Sequence, residues 1–308
     1  MNRGRDGVRE RLPGRLPSLL LVIVLAFLSG CVSRYLVPGA SQYRQGMAAA
    51  AKGDYESALR SYDSAIEANP KEPVYYLNRG AAFFAARNYD RAIADFDHAL
   101  SLKPDYAAAF VDRGNAYLCK GDNDRAILDY DQAIILMPAL YPAIFNRGNA
   151  YYAKRDYEHA TRDYRQALAL NPNPPNYLFA LDRNQRISWK KQDSAEALNK
   201  RCWIRALTGE KLDAALSDCD ESLKLQPNSP ATLDSRALVH LRMGHFERAI
   251  SDADTALESR SRNASSLFVR GLAKRRLGDA PGAERDLEDA RATDPKIDDL
   301  YVNIGVAP

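Results

Sequence analysis

A 34-residue period is the feature of this sequence that most limits its fold. The run Asn78-Arg79-Gly80 recurs as Asp112-Arg113-Gly114 and as Asn146-Arg147-Gly148, each copy 34 residues after the one before. The later markers of these copies are Ala92, Ala126 and Ala160; Phe96, Tyr130 and Tyr164; Ala99, Ala133 and Ala167; and Pro104, Pro138 and Pro172. A fixed period of this kind is typical of stacked repeats, each of which buries its apolar face only against its neighbours.

These residues resemble the tetratricopeptide repeat, whose pattern is an aromatic residue at position 4, Gly or Ala at 8, an aromatic at 11, Ala at 20, an aromatic at 24, Ala at 27 and Pro at 32. The resemblance implies an all-α fold in which each copy is a helical hairpin and about seven copies stack into a right-handed superhelix. Small residues at positions 8 and 20 would let the paired helices approach closely. The proline at position 32 would end the second helix.

The phase of the repeats divides the chain into segments. Position 1 of the first copy is residue 39. We predict repeats 1 to 4 in residues 41–174 and repeats 5 to 7 in residues 196–297. Residues 175–195 lie outside the phase and are either a degenerate spacer or a bend between two halves of the array. Residues 298–308 begin an eighth copy that stops early, and we expect them to cap the last helix pair.

The amino-terminal segment, residues 1–30, is predicted to be an export signal. An Arg-rich stretch precedes the apolar run 19–28, which is shorter than the roughly 20 residues that span a bilayer. This order of regions is typical of a signal peptide. Leu28-Ser29-Gly30-Cys31 resembles the bacterial lipobox, which implies lipidation of Cys31; the alternative is an ordinary signal that contains a cysteine.

Lipidation at Cys31 would make residues 31–40 a short tether to a membrane. Several acyl chains anchor a protein stably, because each buried CH₂ contributes about 0.8 kcal/mol. The inner-membrane retention signal of such lipoproteins has Asp after the cysteine, whereas this chain has Val32. The resemblance therefore implies an outer-membrane lipoprotein of the cell envelope that faces the periplasm.

Charge and composition exclude several other functions. The formal net charge is +3, and the first 30 residues account for it, so the repeats are neutral overall and nucleic-acid binding is not expected. The four cysteines include no Cys-x-x-Cys pair, which argues against a zinc site. The sequence has no nucleophile motif, phosphate loop or metal-spaced histidine cluster. We therefore predict a non-enzymatic protein without a cofactor, metal or small-molecule substrate.

Two charged positions vary together among the repeats. Position 7 is Arg and position 23 is Asp in the same five copies, and repeat 1 has neither residue. The pairs are Arg79 with Asp95, Arg113 with Asp129, Arg147 with Asp163, Arg236 with Asp252, and Arg270 with Asp286. We expect each Arg to meet an Asp of its own repeat or of a neighbouring repeat, because the planar guanidinium suits a partly buried carboxylate.

Repeat 5 departs from this pattern, with Cys202 at position 7 and Cys219 at position 24. In an oxidising compartment the two cysteines would form a disulfide. The alternative is a pair of buried thiols that lie too far apart. A Cα–Cα distance above about 7 Å would exclude the bond. Cys119 has no sequence partner and is expected to be free.

The family resemblance also implies a ligand surface. In this family the first helices line a concave groove through positions 2, 5, 6, 9, 12 and 13. The candidate peptide-binding residues are Asn78, Phe84, Asp112, Asn115, Leu118, Phe145, Asn146, Asn149 and Tyr152. Amide side chains would bind the backbone of a peptide and aromatic side chains would bind its side chains. The alternative is a polar, solvated lining. The basic part of the clamp with which some relatives hold acidic tails is missing from repeats 2–4, where position 5 holds Leu77, Val111 and Phe145.

The sequence therefore favours a lipid-anchored envelope adaptor that binds segments of unidentified protein partners. A second hypothesis is a structural subunit of a secretion, pilus or outer-membrane assembly that acts through helix faces. An enzyme is the third, and it would need a convergent set of titratable groups in a closed pocket.

Overall fold

The computed structural model describes residues 37–171, 195–259 and 262–306. These residues form fifteen α-helices and no β-strand, so the prediction of an all-α fold is confirmed. The predicted signal peptide and Cys31 lie outside the described residues. The predicted insertion at 175–195 also lies outside them, except that Ala195 begins a helix.

The helices fall in successive pairs along the chain. Repeats 1 to 4 contain α1 (Ala40–Ala51), α2 (Tyr55–Ala68), α3 (Pro73–Ala85), α4 (Tyr89–Leu102), α5 (Ala107–Cys119), α6 (Asn123–Leu136), α7 (Tyr141–Ala153) and α8 (Tyr157–Leu170). Repeats 5 to 7 contain α9 (Ala195–Thr208), α10 (Leu212–Leu225), α11 (Pro230–Arg242), α12 (Phe246–Ser259), α13 (Ala264–Arg276) and α14 (Ala280–Thr293), and α15 (Ile297–Asn303) follows them. The helices of each repeat pack against each other, and the pairs stack in chain order.

Short polar side chains fix where most second helices begin. Asp122 Oδ1 accepts a hydrogen bond from the backbone N–H of Arg125 at 3.1 Å, which satisfies one of the free donors at the start of α6. The same cap is made by Asp54, Asn88, Asp156 and Asp279. The second helix ends before the proline of the repeat, where Met137 is extended with φ −140° and ψ 87°, because a residue before proline avoids the helical region.

Glycine at position 8 lies against the large side chain at position 24 of the same repeat. A methyl group on Gly114 would come within 2.8 Å of the Tyr130 ring, and one on Gly80 within 2.7 Å of the Phe96 ring. Only glycine therefore permits this packing without movement of the ring. Fully buried alanines fill the rest of each hairpin seam. At position 20 they are Ala58, Ala92, Ala126, Ala160, Ala215, Ala249 and Ala283.

The array changes after α8. The contact between α8 and α9 is slight, whereas α9 packs directly against α11 and α11 against α13. The first helices of repeats 5 to 7 therefore approach one another more closely than those of repeats 1 to 4 do. The largest apolar core is continuous from Tyr141 in repeat 4 to Ile304 near the end of the described chain.

Helix α15 begins at Ile297 and covers the last repeat. It packs on α13 and α14, and it also contacts α8 of repeat 4. Nearby, Arg155 forms an ion pair with Asp294. The sequence did not predict this return contact. None of the helices in the described residues has the length and apolar character needed to cross a membrane.

Candidate interaction groove

Ion pairs connect neighbouring repeats through their second helices. In repeat 4, Arg147 donates from Nε and Nη2 to the two oxygens of Asp163, at 2.8 and 2.7 Å. Its Nη1 donates to Asp131 of repeat 3 at 2.6 Å. The hydrogen bonds to Asp163 and then to Asp131 raise the pKa of Arg147 above its ordinary value. Each Arg therefore joins two repeats.

The other four arginines make the same contacts. Arg79 binds Asp95 and Asp63, Arg113 binds Asp129 and Asp97, Arg236 binds Asp252 and Asp220, and Arg270 binds Asp286 and Asp254. The predicted pairing within a repeat or between neighbours is confirmed, and both forms occur together. The recurrence of the pair marks it as a structural element of the repeat.

The ladder of ion pairs is interrupted between repeats 4 and 5. The position that supplies the Asp to the next repeat holds Arg165 in repeat 4, and the position that supplies the Arg holds Cys202 in repeat 5. Asp218 instead accepts hydrogen bonds from Arg201 and Arg205 of its own repeat. The interruption coincides with the slight contact between α8 and α9.

The two cysteines of repeat 5 are joined by a disulfide. The Cα atoms of Cys202 and Cys219 lie 5.5 Å apart, inside the range that a disulfide can bridge, and both side chains are fully buried. The bond ties α9 to α10 where other repeats have the Arg–Asp pair. The next residue, Trp203, occupies the position of the small glycine and packs edge-on against Tyr152, with ring centroids 6.4 Å apart.

In repeats 5 to 7, the positions that would line the concave face are covered by other parts of the same chain. These positions hold apolar side chains that are almost fully buried. They are Ile204, Leu207, Leu238, Leu241, Phe268, Val269 and Leu272. Tyr301 of α15 stacks on Phe268 with ring centroids 4.4 Å apart. Arg242 donates to the backbone carbonyls of Leu207 and Ile304, which holds α15 in place.

Most of the predicted peptide-binding residues are buried. Asn115, Asn146 and Asn149 are 8, 2 and 7% exposed. The other buried members of the predicted set are Phe84, Leu118 and Phe145. These side chains therefore have little surface to offer a peptide. Asn78, Asp112 and Tyr152 are partly exposed, and Tyr152 packs against Trp203.

The three buried asparagines bond to each other and to tyrosines. Asn115 Oδ1 accepts hydrogen bonds from Tyr130 Oη at 2.8 Å and from Asn146 Nδ2 at 2.9 Å. Asn149 Nδ2 donates to Asn146 Oδ1 at 3.3 Å, and Asn149 Oδ1 accepts from Tyr164 Oη at 3.0 Å. Buried amides and hydroxyls need such partners. The amides predicted to grip a peptide thus connect repeats 3 and 4.

An open groove of about 310 Å³ lies between the first helices of repeats 1 to 3, and we call it the N-groove. Its lining residues are Ala50, Ala51, Tyr55, Tyr62, Leu77, Asn78, Ala81, Ala82, Ala85 and Asp112. The N-groove brings together two of the predicted residues, Asn78 and Asp112. Sequence reasoning did not single out its small apolar walls, although Ala81 and Ala85 occupy positions 9 and 13 of repeat 2.

Tyrosines lie beside two lining residues of the N-groove, Asn78 and Asp112. Asn78 Nδ2 donates to Tyr43 Oη at 3.2 Å, and the Tyr43 and Tyr75 rings lie 5.1 Å apart. Burial raises the pKa of Tyr106, and Tyr43, Asp112 and Glu72 raise it further. Burial and then Glu72 likewise raise the pKa of Tyr43. Glu72 therefore acts on both tyrosines, whereas Asp112 acts on Tyr106.

A second cavity, of about 360 Å³, is polar and lies between repeats 5 and 6. It is lined by Leu216, Asp220, Arg236, His240, Arg248, Ser251 and Asp252. Arg236 donates to both Asp220 and Asp252 in the ion-pair ladder. Burial lowers the pKa of His240. Within the described residues, no group of three or more His, Cys, Asp or Glu side chains is placed to hold a metal ion.

The outer face of repeat 3 carries an exposed apolar patch. Leu128 and Ile135, two turns apart on α6, are 63 and 69% exposed. Leu136 and Met137 extend the patch, and Leu102 and Leu170 are exposed at the ends of the flanking second helices. The positions of Leu128 and Ile135 hold Arg60 and Glu67 in repeat 1. This patch is therefore particular to repeat 3 and its neighbours.

Family models of the tetratricopeptide repeat match residues 43–107, 78–143 and 235–296, and a second such model matches 141–174. The chain has no match among curated proteins. Among solved structures, YrrB, described as a TPR protein with an unusual peptide-binding site, is 20% identical with a TM-score of 0.48; the match covers 68% of this chain and 97% of that one.

Two further solved structures are similar. A tetratricopeptide repeat protein from Parabacteroides merdae ATCC 43184 is 20% identical with a TM-score of 0.46, covering 87% of this chain and 98% of that one. The first TPR of Spaghetti (RPAP3), bound to an HSP90 peptide, is 24% identical with a TM-score of 0.38, covering 38% of this chain and 96% of that one. The assignment of a family rests on the repeat models, which match more than half of the sequence. The chain belongs to the tetratricopeptide repeat family.

Proposed function

We propose that this protein is a non-enzymatic adaptor that binds an extended segment of a partner protein in the N-groove. Proteins of its family commonly mediate protein–protein interactions as scaffolds. The proposal is carried by the contrast between the two halves of the array. The corresponding face of repeats 5 to 7 is filled by the chain's own apolar side chains, whereas repeats 1 to 3 keep an open groove.

The lining of the N-groove suits an extended peptide. Leu77 and the neighbouring alanines give an apolar floor of mostly small side chains, so the backbone of a peptide can approach it closely. Asn78 and Asp112 add polar groups at the wall, and such groups orient a bound chain while the apolar floor accepts its side chains.

Photo-crosslinking tests this proposal. The photoreactive residue p-benzoylphenylalanine is placed at Ala85 in the N-groove and, as a matched control, at Ala292, an exposed position of α14. Both variants are expressed in the native host and irradiated. We expect a discrete adduct from Ala85 that is weak or missing from Ala292. Equal adducts from both positions, or none from Ala85, would overturn the proposal.

We place this adaptor in the cell envelope, as an outer-membrane lipoprotein that faces the periplasm. The proposal rests on the export signal predicted for residues 1–30 and on the resemblance of residues 28–31 to a lipobox. The Cys202–Cys219 bond supports it, because disulfides form and persist in oxidising compartments. A lipid on Cys31 would hold the N-groove close to the membrane.

Lipidation is tested in the native host with an alkyne analogue of palmitate. We expect the wild-type protein to incorporate the label and to sediment with outer-membrane fractions. The Cys31→Ser variant should lose both properties, while Cys119→Ser should keep them. Labelling that survives Cys31→Ser would show that the cysteine is not the anchor.

The outer patch around Leu128 and Ile135 favours a second candidate function, that of a structural subunit that assembles with further copies of itself through helix faces. Large exposed apolar patches often mark protein contacts. Two turns of one helix, flanked by the small side chains of Ala94, Ser101 and Ala169, offer a face on which a second helix fits. Sedimentation velocity of the wild type and of Leu128→Ser/Ile135→Ser tests it. A monomeric wild type at high concentration would rule out self-assembly.

A further inference from the structure

We propose that the N-groove holds its segment by the backbone, and that the hydroxyl of Tyr62 donates a hydrogen bond to a carbonyl oxygen of that segment. This inference rests on the proposed function and adds to it the chemical group that the groove recognises. It follows from a comparison of Tyr62 with the equivalent tyrosines of repeats 3 and 4.

Tyr62 differs from those tyrosines in lacking a partner within the fold. Position 24 holds tyrosine in repeats 1, 3 and 4. In repeats 3 and 4 its hydroxyl donates to an asparagine at position 9, as Tyr164 does to Asn149 at 3.0 Å. Position 9 of repeat 1 holds Met47, which has no amide to accept such a bond. Tyr62 Oη therefore has no hydrogen-bond partner in the part of the chain that the structure describes.

The hydroxyl of Tyr62 is a donor at the wall of the N-groove. Tyr62 is 2% exposed and is one of the residues that line the groove. Burial, and then Tyr43, raise the pKa of Tyr62 to about 12, so the hydroxyl keeps its proton at neutral pH. Buried polar groups need hydrogen-bond partners. A carbonyl oxygen that entered the groove would supply the partner that the fold does not.

Asn78 presents the matching acceptor. Both of its amide hydrogens are used within the fold, because Nδ2 donates to Tyr43 Oη at 3.2 Å and to the carbonyl of Val74 at 2.9 Å. Asn78 Oδ1 accepts no hydrogen bond from any described residue. Tyr43 connects the two groups, since its ring centroid lies 5.9 Å from that of Tyr62. The groove thus offers one donor and one acceptor, as the C=O and N–H of a peptide backbone require.

The floor of the N-groove limits the side chains that can accompany this contact. Its alanines include Ala50, Ala51, Ala82 and Ala85. Small side chains on the floor let a backbone approach closely, whereas a bulky side chain directed at the floor would hold the backbone away from Tyr62 Oη. Segments with Ala, Gly or Ser at these points are therefore favoured.

The test uses the full chain and a pool of fluorescent nonapeptides, acetylated and amidated, whose residues are drawn from Ala, Gly, Ser and Val. Binding is measured by fluorescence anisotropy. Tyr62→Phe removes only the hydroxyl, and we expect it to weaken binding about three- to tenfold, as the loss of one neutral hydrogen bond does. Circular dichroism checks that each variant is folded.

Met47→Asn separates a role in binding from a role in the fold. It gives repeat 1 the amide that repeats 3 and 4 have at position 9, so that Tyr62 acquires a partner inside the protein. We expect Met47→Asn to weaken binding as much as Tyr62→Phe does without lowering the midpoint of urea unfolding, and the two substitutions together to weaken binding no further. Met47→Leu is the matched control, because it supplies no amide, and it should bind as the wild type does.

The outcomes separate this inference from the proposed function. If Tyr62→Phe or Met47→Asn binds the pool as tightly as the wild type, or if Met47→Leu weakens binding as much as Met47→Asn, the role of the hydroxyl is wrong while the groove still binds peptides. If the pool does not bind, Tyr62→Phe must lower the yield of the adduct from Ala85 in the crosslinking experiment, and an unchanged yield would overturn the inference. If Ala85 gives no adduct either, the proposed function fails, and the inference fails with it.

Discussion

Tyr164 donates a hydrogen bond from its hydroxyl to Asn149 Oδ1 at 3.0 Å, entirely inside repeat 4. Tyr130 and Asn115 make the same contact in repeat 3 at 2.8 Å. In repeat 2 the equivalent residues are Phe96 and Ala81, and neither has a side-chain polar group. In repeats 2 to 4 the amide at position 9 is therefore present only where position 24 carries a hydroxyl, which identifies it as a partner of the fold.

The first prediction is that Asn149→Ala destabilises repeat 4 by about 1–3 kcal/mol, because the buried hydroxyl of Tyr164 loses its acceptor. Asn149→Ala/Tyr164→Phe, which copies the pair found in repeat 2, should recover much of this loss. Urea unfolding followed by circular dichroism measures both variants. A double variant as unstable as the sum of Asn149→Ala and Tyr164→Phe would show that the two side chains are independent.

The second prediction concerns the ion-pair ladder. Arg147→Met should destabilise the protein by about 3–5 kcal/mol, because Asp163 is 3% exposed and would be left as a buried unpaired charge. Arg162→Gln is the control, since its pair with Glu158 is exposed and is expected to contribute less than about 1 kcal/mol. The urea concentrations at the unfolding midpoints of the two variants are compared. Equal midpoints would contradict the prediction.

The third prediction is that a reducing agent lowers the stability of repeat 5. The 17-residue separation of Cys202 and Cys219 corresponds to a stabilisation of about 3 kcal/mol in the loop-closure model. Thermal unfolding with and without tris(2-carboxyethyl)phosphine measures the effect. The Cys119→Ser variant should respond to reduction as the wild type does. Cys202→Ser/Cys219→Ser should not respond, and a response from it would assign the effect to another group.

The fourth prediction concerns pH. Burial lowers the pKa of His240 in the folded protein below its usual 6.5, so the unfolded chain binds more protons than the fold as the pH falls. The stability contributed by neutral His240 is thus present above about pH 6.5 and is lost as the pH falls through that value towards the folded pKa. Asp252 opposes the shift, and Arg236, His245 and Arg248 reinforce it.

The free energy of unfolding, measured between pH 7.5 and 5.5, tests whether stability falls with pH as predicted. The wild type should lose more stability over this range than His240→Phe, which places at position 11 the aromatic residue usual for the family. His98→Gln, at an exposed histidine of α4, serves as the control and should follow the wild type. If the free energy of unfolding of His240→Phe depends on pH as steeply as that of the wild type, this histidine does not cause the pH dependence.

Features that depend on neighbouring repeats were readable in the sequence. The period located the helix pairs, and the joint variation of Arg147 and Asp163 with their equivalents predicted a contact that the structure contains. The caps are equally local, since Asp122 binds the backbone three residues further on. Such features recur in most copies, so one chain supplies several observations of each.

The contact between α8 and α15 could not be predicted, because it occurs once and joins distant parts of the chain, as does the nearby pair of Arg155 and Asp294. The burial of Asn146 could not be predicted either, since position 6 faces a groove only where the superhelix leaves one open. One signal was available for Asn115 and Asn149: each accompanies a tyrosine at position 24, as Ala81 accompanies Phe96. Arg165, where the ladder needs an acid, similarly marked the break before repeat 5.

The return of α15 to α8 has a mechanical consequence. An open stack of hairpins behaves as a spring along its whole length, because each unit touches only the next one. Here the tail of the chain is fastened to its middle through Arg155 and Asp294 and through the shared apolar core. A load applied between the two ends would therefore stretch the first four hairpins, while the remaining three move as one stiff body until the fastening yields.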